Sequence, residues 1–187
     1  MSISMIRKKI EYKKVIINSE TYRVGDSVKI NERKDDCLYA EILSFWQDGL
    51  KPDAYAKVRW YFKPSEIFEE IPDFISAAEL MTSNVEQNIT VQSIYDRVTV
   101  LNLSDYHEND LVDDNIMFSR SLYDPRLKVL RPPLSQWKRV CVCESILNPD
   151  EVYVGCDGCF GFFHPECVIA PDDKEYICDK CSKAQKN

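Results

Sequence analysis

The chain has 187 residues, 44% of them apolar and 11% aromatic, with a formal net charge of −7. That length allows one medium domain and one small one, the composition is that of a globular protein, and no stretch approaches the roughly 18 apolar residues of a membrane-spanning helix. The charge is uneven: residues 65–119 carry twelve carboxylates and one basic residue, Arg97, whereas residues 1–14 carry Arg7, Lys8, Lys9, Lys13 and Lys14 against Glu11. An acidic face of this kind repels nucleic-acid phosphate and attracts basic peptides, so sequence-specific DNA binding is not expected.

In chain order, a basic arm runs into a strand at Val15–Ile17, and residues 1–19 are taken as this arm and first strand. Short strands follow at Thr21–Tyr22, Val28–Ile30, Cys37–Trp46 and Tyr55–Phe62, separated by turn signals at Asn18-Ser19, Gly25-Asp26, a charged turn over Asn31–Asp36 and a loop over Gln47–Asp53. Ser76–Met81 is expected as a short helix or strand, Arg97–Leu103 as a strand, Asp105–Asn115 as an acidic loop, and Met117–Tyr123 as one more strand. Leu127–Leu130 closes the domain, and Pro132-Pro133 forms a stiff linker. Frequent short strands punctuated by turns predict a mainly β barrel or sandwich.

Seven of the eight cysteines lie after the linker, with one of the two histidines. Cys141, Cys143, Cys156, Cys159, His164, Cys167, Cys178 and Cys181 read C-x-C-x12-C-x2-C-x4-H-x2-C-x10-C-x2-C. Closely spaced thiol pairs place two sulfurs on one ion, so four pairs predict two zinc ions, each with four protein ligands and no open position for water; such sites are structural. A disulfide framework is the alternative. It requires an oxidising compartment, whereas Met1–Ile10 is basic rather than an apolar leader, and it leaves the histidine idle.

The order of four cysteines, one histidine and three cysteines resembles the PHD finger; a RING finger, the arrangement of many ubiquitin ligases, places its histidine after the third cysteine. The resemblance implies a cross-brace, with Cys141, Cys143, His164 and Cys167 on one ion and Cys156, Cys159, Cys178 and Cys181 on the other. Upstream, Tyr22-Arg23-Val24-Gly25-Asp26-Ser27-Val28, Ala40-Glu41-Ile42, Val58-Arg59-Trp60-Tyr61-Phe62-Lys63-Pro64-Ser65-Glu66, Glu79-Leu80-Met81 and Met117-Phe118-Ser119-Arg120 resemble a BAH domain. The expected fold is therefore mainly β: a BAH-type, β-barrel-like domain over 20–133, then a small two-zinc cross-brace PHD finger over 134–187.

The combined resemblance implies a nuclear, non-catalytic chromatin reader. Its partners would be histone tails, the histone H3 N-terminus above all, and other subunits of a chromatin complex. A methyl-lysine reader surrounds the cation with aromatic faces. In related PHD fingers that read methylated lysine four of H3, the wall positions fall here on Leu147, Tyr153 and Phe162, and Asp157 falls where an acidic residue meets the tail's arginine. The strand Glu151–Gly155 would take the peptide by β-addition, and the loop Ile169–Asp173 its N-terminal amine. In the BAH domain the corresponding positions are Leu38, Trp60 and Phe62. An interaction scaffold with decayed cages is the competing reading. His107 has no partner that would make it catalytic, and no phosphate loop or nucleophile elbow points to an enzyme.

Overall fold

In a computed structural model the chain divides into two compact units: residues 1–71 with 78–131, and residues 72–77 with 132–187. The structure describes residues 9–31, 37–49, 52–107, 113–169 and 175–184.

The first unit is built on a seven-stranded sheet. Its strands are β1 (Lys9–Tyr12), β4 (Ser27–Ile30), β5 (Leu38–Asp48), β6 (Ala54–Tyr61), β8 (Glu86–Thr90), β9 (Ile94–Leu101) and β10 (Ile116–Phe118). The order is β10-β9-β4-β5-β6-β8, with β1 pairing the far half of β5. A hairpin of β2 (Lys14–Ile17) and β3 (Glu20–Arg23) and a small sheet of β12 (Val129–Arg131), β11 (Leu122–Asp124) and β7 (Thr82–Ser83) complete the unit. The β2–β3 turn is made by Asn18 and Ser19, both at positive φ (49° and 69°), a conformation that matches the twist of paired strands.

Alternation fills the core. Val28 and Ile30, Ala40 and Ile42, and Ala56 and Val58 point inward from three neighbouring strands and are buried, and Ile94 joins them from β9. A register shift between Lys29 and Ile30 leaves Val98 opposite Ser27, buried on the other face of the sheet. The β5–β6 register slips between Ile42 and Ser44. One residue is thereby left unpaired, and Phe45 rather than Ser44 turns inward and is fully buried. Tyr22 joins this cluster from the hairpin, with the Arg97 guanidinium 5.4 Å from its ring centroid.

Several sequence-based expectations change. β5 extends through Asp48, so the expected loop from Gln47 begins later. Met117–Tyr123 is two strands, β10 and β11, because Ser119–Ser121 turns between different sheets. Ser76–Met81 is neither helix nor strand; Glu79 and Met81 make isolated bridges to Phe118 and Phe62. The first turn of the expected acidic loop is the helix α1 (Leu103–His107). β8 was not foreseen: Glu86-Gln87-Asn88-Ile89-Thr90 is held by β6 rather than by a pattern of its own.

The second unit has two short hairpins, β13 (Arg139–Val140) with β14 (Ser145–Ile146) and β15 (Val154–Gly155) with β16 (Phe162–Phe163), and a terminal helix α2 (Asp179–Ala184). Its small core holds Trp137, Val140, Ile146 and Leu147. Residues 72–77 form a strap across it. Asn148 Nδ2 donates to the Asp73 carbonyl at 2.8 Å, Ser76 Oγ donates to Asp150 Oδ1 at 2.8 Å, and Ala77 N donates to Asp150 Oδ2 at 3.3 Å. Phe74 packs edge-on to Trp137, with centroids 6.2 Å apart, and Ile75 and Ser76 are buried.

Candidate metal centres and peptide-binding surface

Each hairpin of the second unit carries a pair of thiols in its loop. Cys141 and Cys143 follow β13, where positive φ at Cys141 (65°) and Glu144 (55°) curls the chain. Cys156 and Cys159 follow β15, with Phe160 at φ 56°. His164 comes directly after β16, Cys167 ends the 3-10 turn Pro165–Cys167, and Cys178 and Cys181 flank the start of α2. These elements bring Cys141, Cys143, His164 and Cys167 into one cluster and Cys156, Cys159, Cys178 and Cys181 into another. Within each, the ligand atoms all lie within 4.8 Å of one another. The grouping is interleaved along the sequence, as the cross-brace requires.

The electrostatics of the thiols fit a cation at each centre. The backbone N–H of Cys178 donates to Cys156 Sγ at 3.2 Å and holds that thiol down to about 6. Hydrogen bonding to the Cys178 and Cys159 sulfurs pushes Cys181 up to about 12. In the first cluster, hydrogen bonding to Cys141 pushes Cys167 up to about 11. In the second cluster one thiolate, Cys156, forms readily while Cys159 and Cys181 are harder to ionise; in the first, Cys141 and Cys143 are both held down and only Cys167 is pushed up. A divalent ion removes that conflict, and a donor set of thiolates and imidazole suits a soft-to-borderline metal such as zinc. Gly158 gives the second cluster its tightness: a Cβ there would lie 3.1 Å from both Cβ and Sγ of Cys181.

His164 faces the first cluster through Nδ1, 3.3 Å from Cys143 Sγ and 3.8 Å from Cys167 Sγ. Its Nε2 is 3.1 Å from Glu151 Oε2. The Tyr153 hydroxyl donates to the same carboxylate oxygen at 3.1 Å and accepts from the Asn148 N–H at 3.1 Å. The Tyr153 ring lies 5.9 Å from that of Phe162, inclined at 50°, and 5.1 Å from that of His164.

Of the expected peptide contacts, Tyr153 and Phe162 are therefore brought together and half-exposed. Leu147 is not at the surface. It is 2% exposed, a core residue rather than a wall, because its N–H bonds the Lys138 carbonyl and draws it inward beside Ile146. Asp157 is exposed but engaged: its Oδ2 accepts the Tyr176 N–H at 2.7 Å, and its own N–H donates back to the Tyr176 carbonyl. The Lys138 ammonium lies 5.0 Å from the Phe162 ring centroid. Ile169 is fully exposed, and the rest of the loop expected to receive an amine, 170–173, lies outside the described residues.

In the first unit, Leu38 and Trp60 pack against the core cluster. Leu38 stands opposite Ile30 and Trp60 opposite Ala40, and the Trp60 indole N–H donates to Gln87 Oε1 at 3.1 Å. Phe62 lies just beyond β6, edge-on to Tyr123 at 5.3 Å. Sequence reasoning missed this Tyr123 partner, and also the stack of Trp46 on Tyr55, centroids 4.7 Å apart. Both residues of that stack lie in expected strands and face each other in register, a relationship visible only once the pairing of β5 and β6 is known.

Comparison with known proteins agrees with this fold. Residues 20–133 match the BAH domain family model. The chain is 26% identical to chromatin remodeling protein SHL of Arabidopsis thaliana over 188 residues, covering 97% of this chain and 82% of that protein. It is 26% identical to chromatin remodeling protein EBS of the same plant over 129 residues, covering 66% of this chain and 54% of that protein. The crystal structure of the yeast Rsc2 BAH domain superposes with a TM-score of 0.55 at 17% identity, covering 64% of this chain and 52% of that one, a likeness of fold. The chain belongs to the BAH domain family.

Proposed function

We propose that the protein is a nuclear, non-catalytic chromatin reader whose C-terminal unit is a PHD finger holding two structural zinc ions and taking the histone H3 tail, with a preference for methylated lysine. The observation that carries this reading is the pair Tyr153 and Phe162: two half-exposed rings 5.9 Å apart and inclined to each other, on a scaffold fixed by two four-ligand clusters. A cation seated over the face of either ring would be attracted by its quadrupole. Two walls give weaker attraction than a full cage, so affinity is on the order of tens of micromolar, about −6 kcal/mol. Asp157 and the edge of β15 would meet the peptide backbone and its arginine. Leu38, Trp60 and Phe62 of the BAH domain are the second proposed contact set. SHL and EBS, both described as chromatin remodeling proteins, make other chromatin-complex subunits the fitting additional partners.

The scaffold reading is favoured by the burial of Leu147 and by Lys138 already lying over Phe162. Calorimetric titration of the whole chain with unmodified and methylated H3 peptides separates the two. A reader binds the methylated peptide better, and Phe162→Ala abolishes the difference. A chain that ignores every H3 peptide is a scaffold.

A further inference from the structure

Glu151 lies between the first metal cluster and the aromatic pair and touches both. Its Oε2 is 3.1 Å from His164 Nε2 and 3.1 Å from the Tyr153 hydroxyl. The Glu151 side chain is 44% exposed and that of His164 14%, so the contact runs from the surface inward to a ligand. Imidazole has two nitrogens, and only Nδ1 is near the thiols of Cys143 and Cys167. With Nδ1 on a metal, the ring proton sits on Nε2 and needs an acceptor. A carboxylate there fixes the tautomer, holds the ring plane and makes the ligand more basic. Ser145 Oγ, at 3.4 Å, is the other polar neighbour of Nε2.

We propose that Glu151 is a positioning residue that orients His164 for the first metal ion and, through the same oxygen, fixes the ring of Tyr153. The proposal rests on the reading that the clusters hold metal. It adds that the metal centre and the peptide-facing ring share one carboxylate. Coupling through a shared group is reciprocal: what displaces Tyr153 loosens His164, and loss of the metal frees Tyr153.

The test is release of zinc from the full-length chain into a chromogenic chelator, with Cys156→Ser used to identify the phase that belongs to the second cluster. Glu151→Ala should speed release from the first cluster on the order of 10-fold and leave the second phase unchanged. Glu151→Gln, whose amide oxygen still accepts, should stay close to the wild type. In the cobalt-loaded chain, Glu151→Ala should shift the absorption of the three-sulfur, one-nitrogen centre and leave the four-sulfur centre alone. Unchanged release in Glu151→Ala overturns the proposal, and so does equal acceleration of both phases, which would mean general unfolding. A wild-type chain that binds no metal removes the reading beneath it, a result distinct from two ions retained and Glu151 silent.

Discussion

Glu79, fully buried, is gripped by Arg120 in a two-pronged ion pair: Nε meets Oε1 and Nη2 meets Oε2, each at 2.8 Å. The guanidinium also lies 5.9 Å from the Phe118 ring centroid. Planar, parallel hydrogen bonds of this kind are specific to arginine. Arg120→Ala leaves a carboxylate in the interior without its partner and should destabilise the BAH domain by about 3–5 kcal/mol. Arg120→Lys, which cannot bridge both oxygens, should restore only part of that. Chemical denaturation of the three proteins gives the ranking, and an alanine variant as stable as the wild type would remove the pair from the list of stabilising contacts.

Leu147 falls where the resemblance to PHD fingers implies a cage wall, and aromatic replacement there is the intuitive repair. Its burial reverses the expectation. Leu147→Tyr forces a larger ring and a hydroxyl into a packed core and should destabilise the C-terminal unit by about 1–3 kcal/mol. Thermal unfolding decides: a variant that melts no lower and binds methylated peptide more tightly would show that position 147 opens to the surface after all.

A methyl group at Gly158 would lie 3.1 Å from both Cβ and Sγ of Cys181, so Cys181 or the loop must give by a few tenths of an ångström to admit it. Gly158→Ala should push the Cys156–Cys159 loop away from α2 and weaken the second cluster selectively. Metal analysis should find two ions per chain in the wild type. After brief dialysis against a chelator, the Gly158→Ala chain should retain one. Retention of both ions would show that the loop relaxes at no cost.

Tyr22 is pushed up to about 12, first by burial and then by its 2.9 Å hydrogen bond to Glu20. The unfolded chain ionises near 10. Below that value the neutral phenol contributes its full stability; between about 10 and 12 the unfolded state gains by ionising while the folded state does not, so stability falls as pH rises. The loss approaches about 2–3 kcal/mol. Tyr22→Phe should flatten this alkaline slope in a pH series of denaturation midpoints; an unchanged slope would place the titrating group elsewhere.

The two clusters were legible because thiol pairs and a histidine at fixed spacings have few other uses, and the structure groups all eight residues as the resemblance implied. The strands around Val28 and Val98 were legible from their alternation, and those through Ala40 and Val58 from their apolar and aromatic runs bounded by turn signals. β8 was not, since Glu86–Thr90 contains a single apolar residue, Ile89, and owes its form to the neighbouring strand. The Glu79–Arg120 pair spans 41 positions, and nothing local marks either residue as buried. The acidic count over 65–119 therefore overstated the exposed charge by at least the one carboxylate that Arg120 neutralises. The burial of Leu147 was also hidden, because it depends on which side of a two-residue strand the chain leaves.

The strap gives the C-terminal unit an unusual order of manufacture. Fifty-four residues, 78–131, separate Ala77 from the rest of its unit. A ribosome releases the strap while Trp137, Asn148 and Asp150 are still unmade, so Ile75 and the Ser76 hydroxyl must wait for their partners while the BAH domain assembles around that gap in its own sequence. Completing the C-terminal unit therefore requires a late capture, in which newly made chain closes on a segment synthesised more than fifty residues earlier.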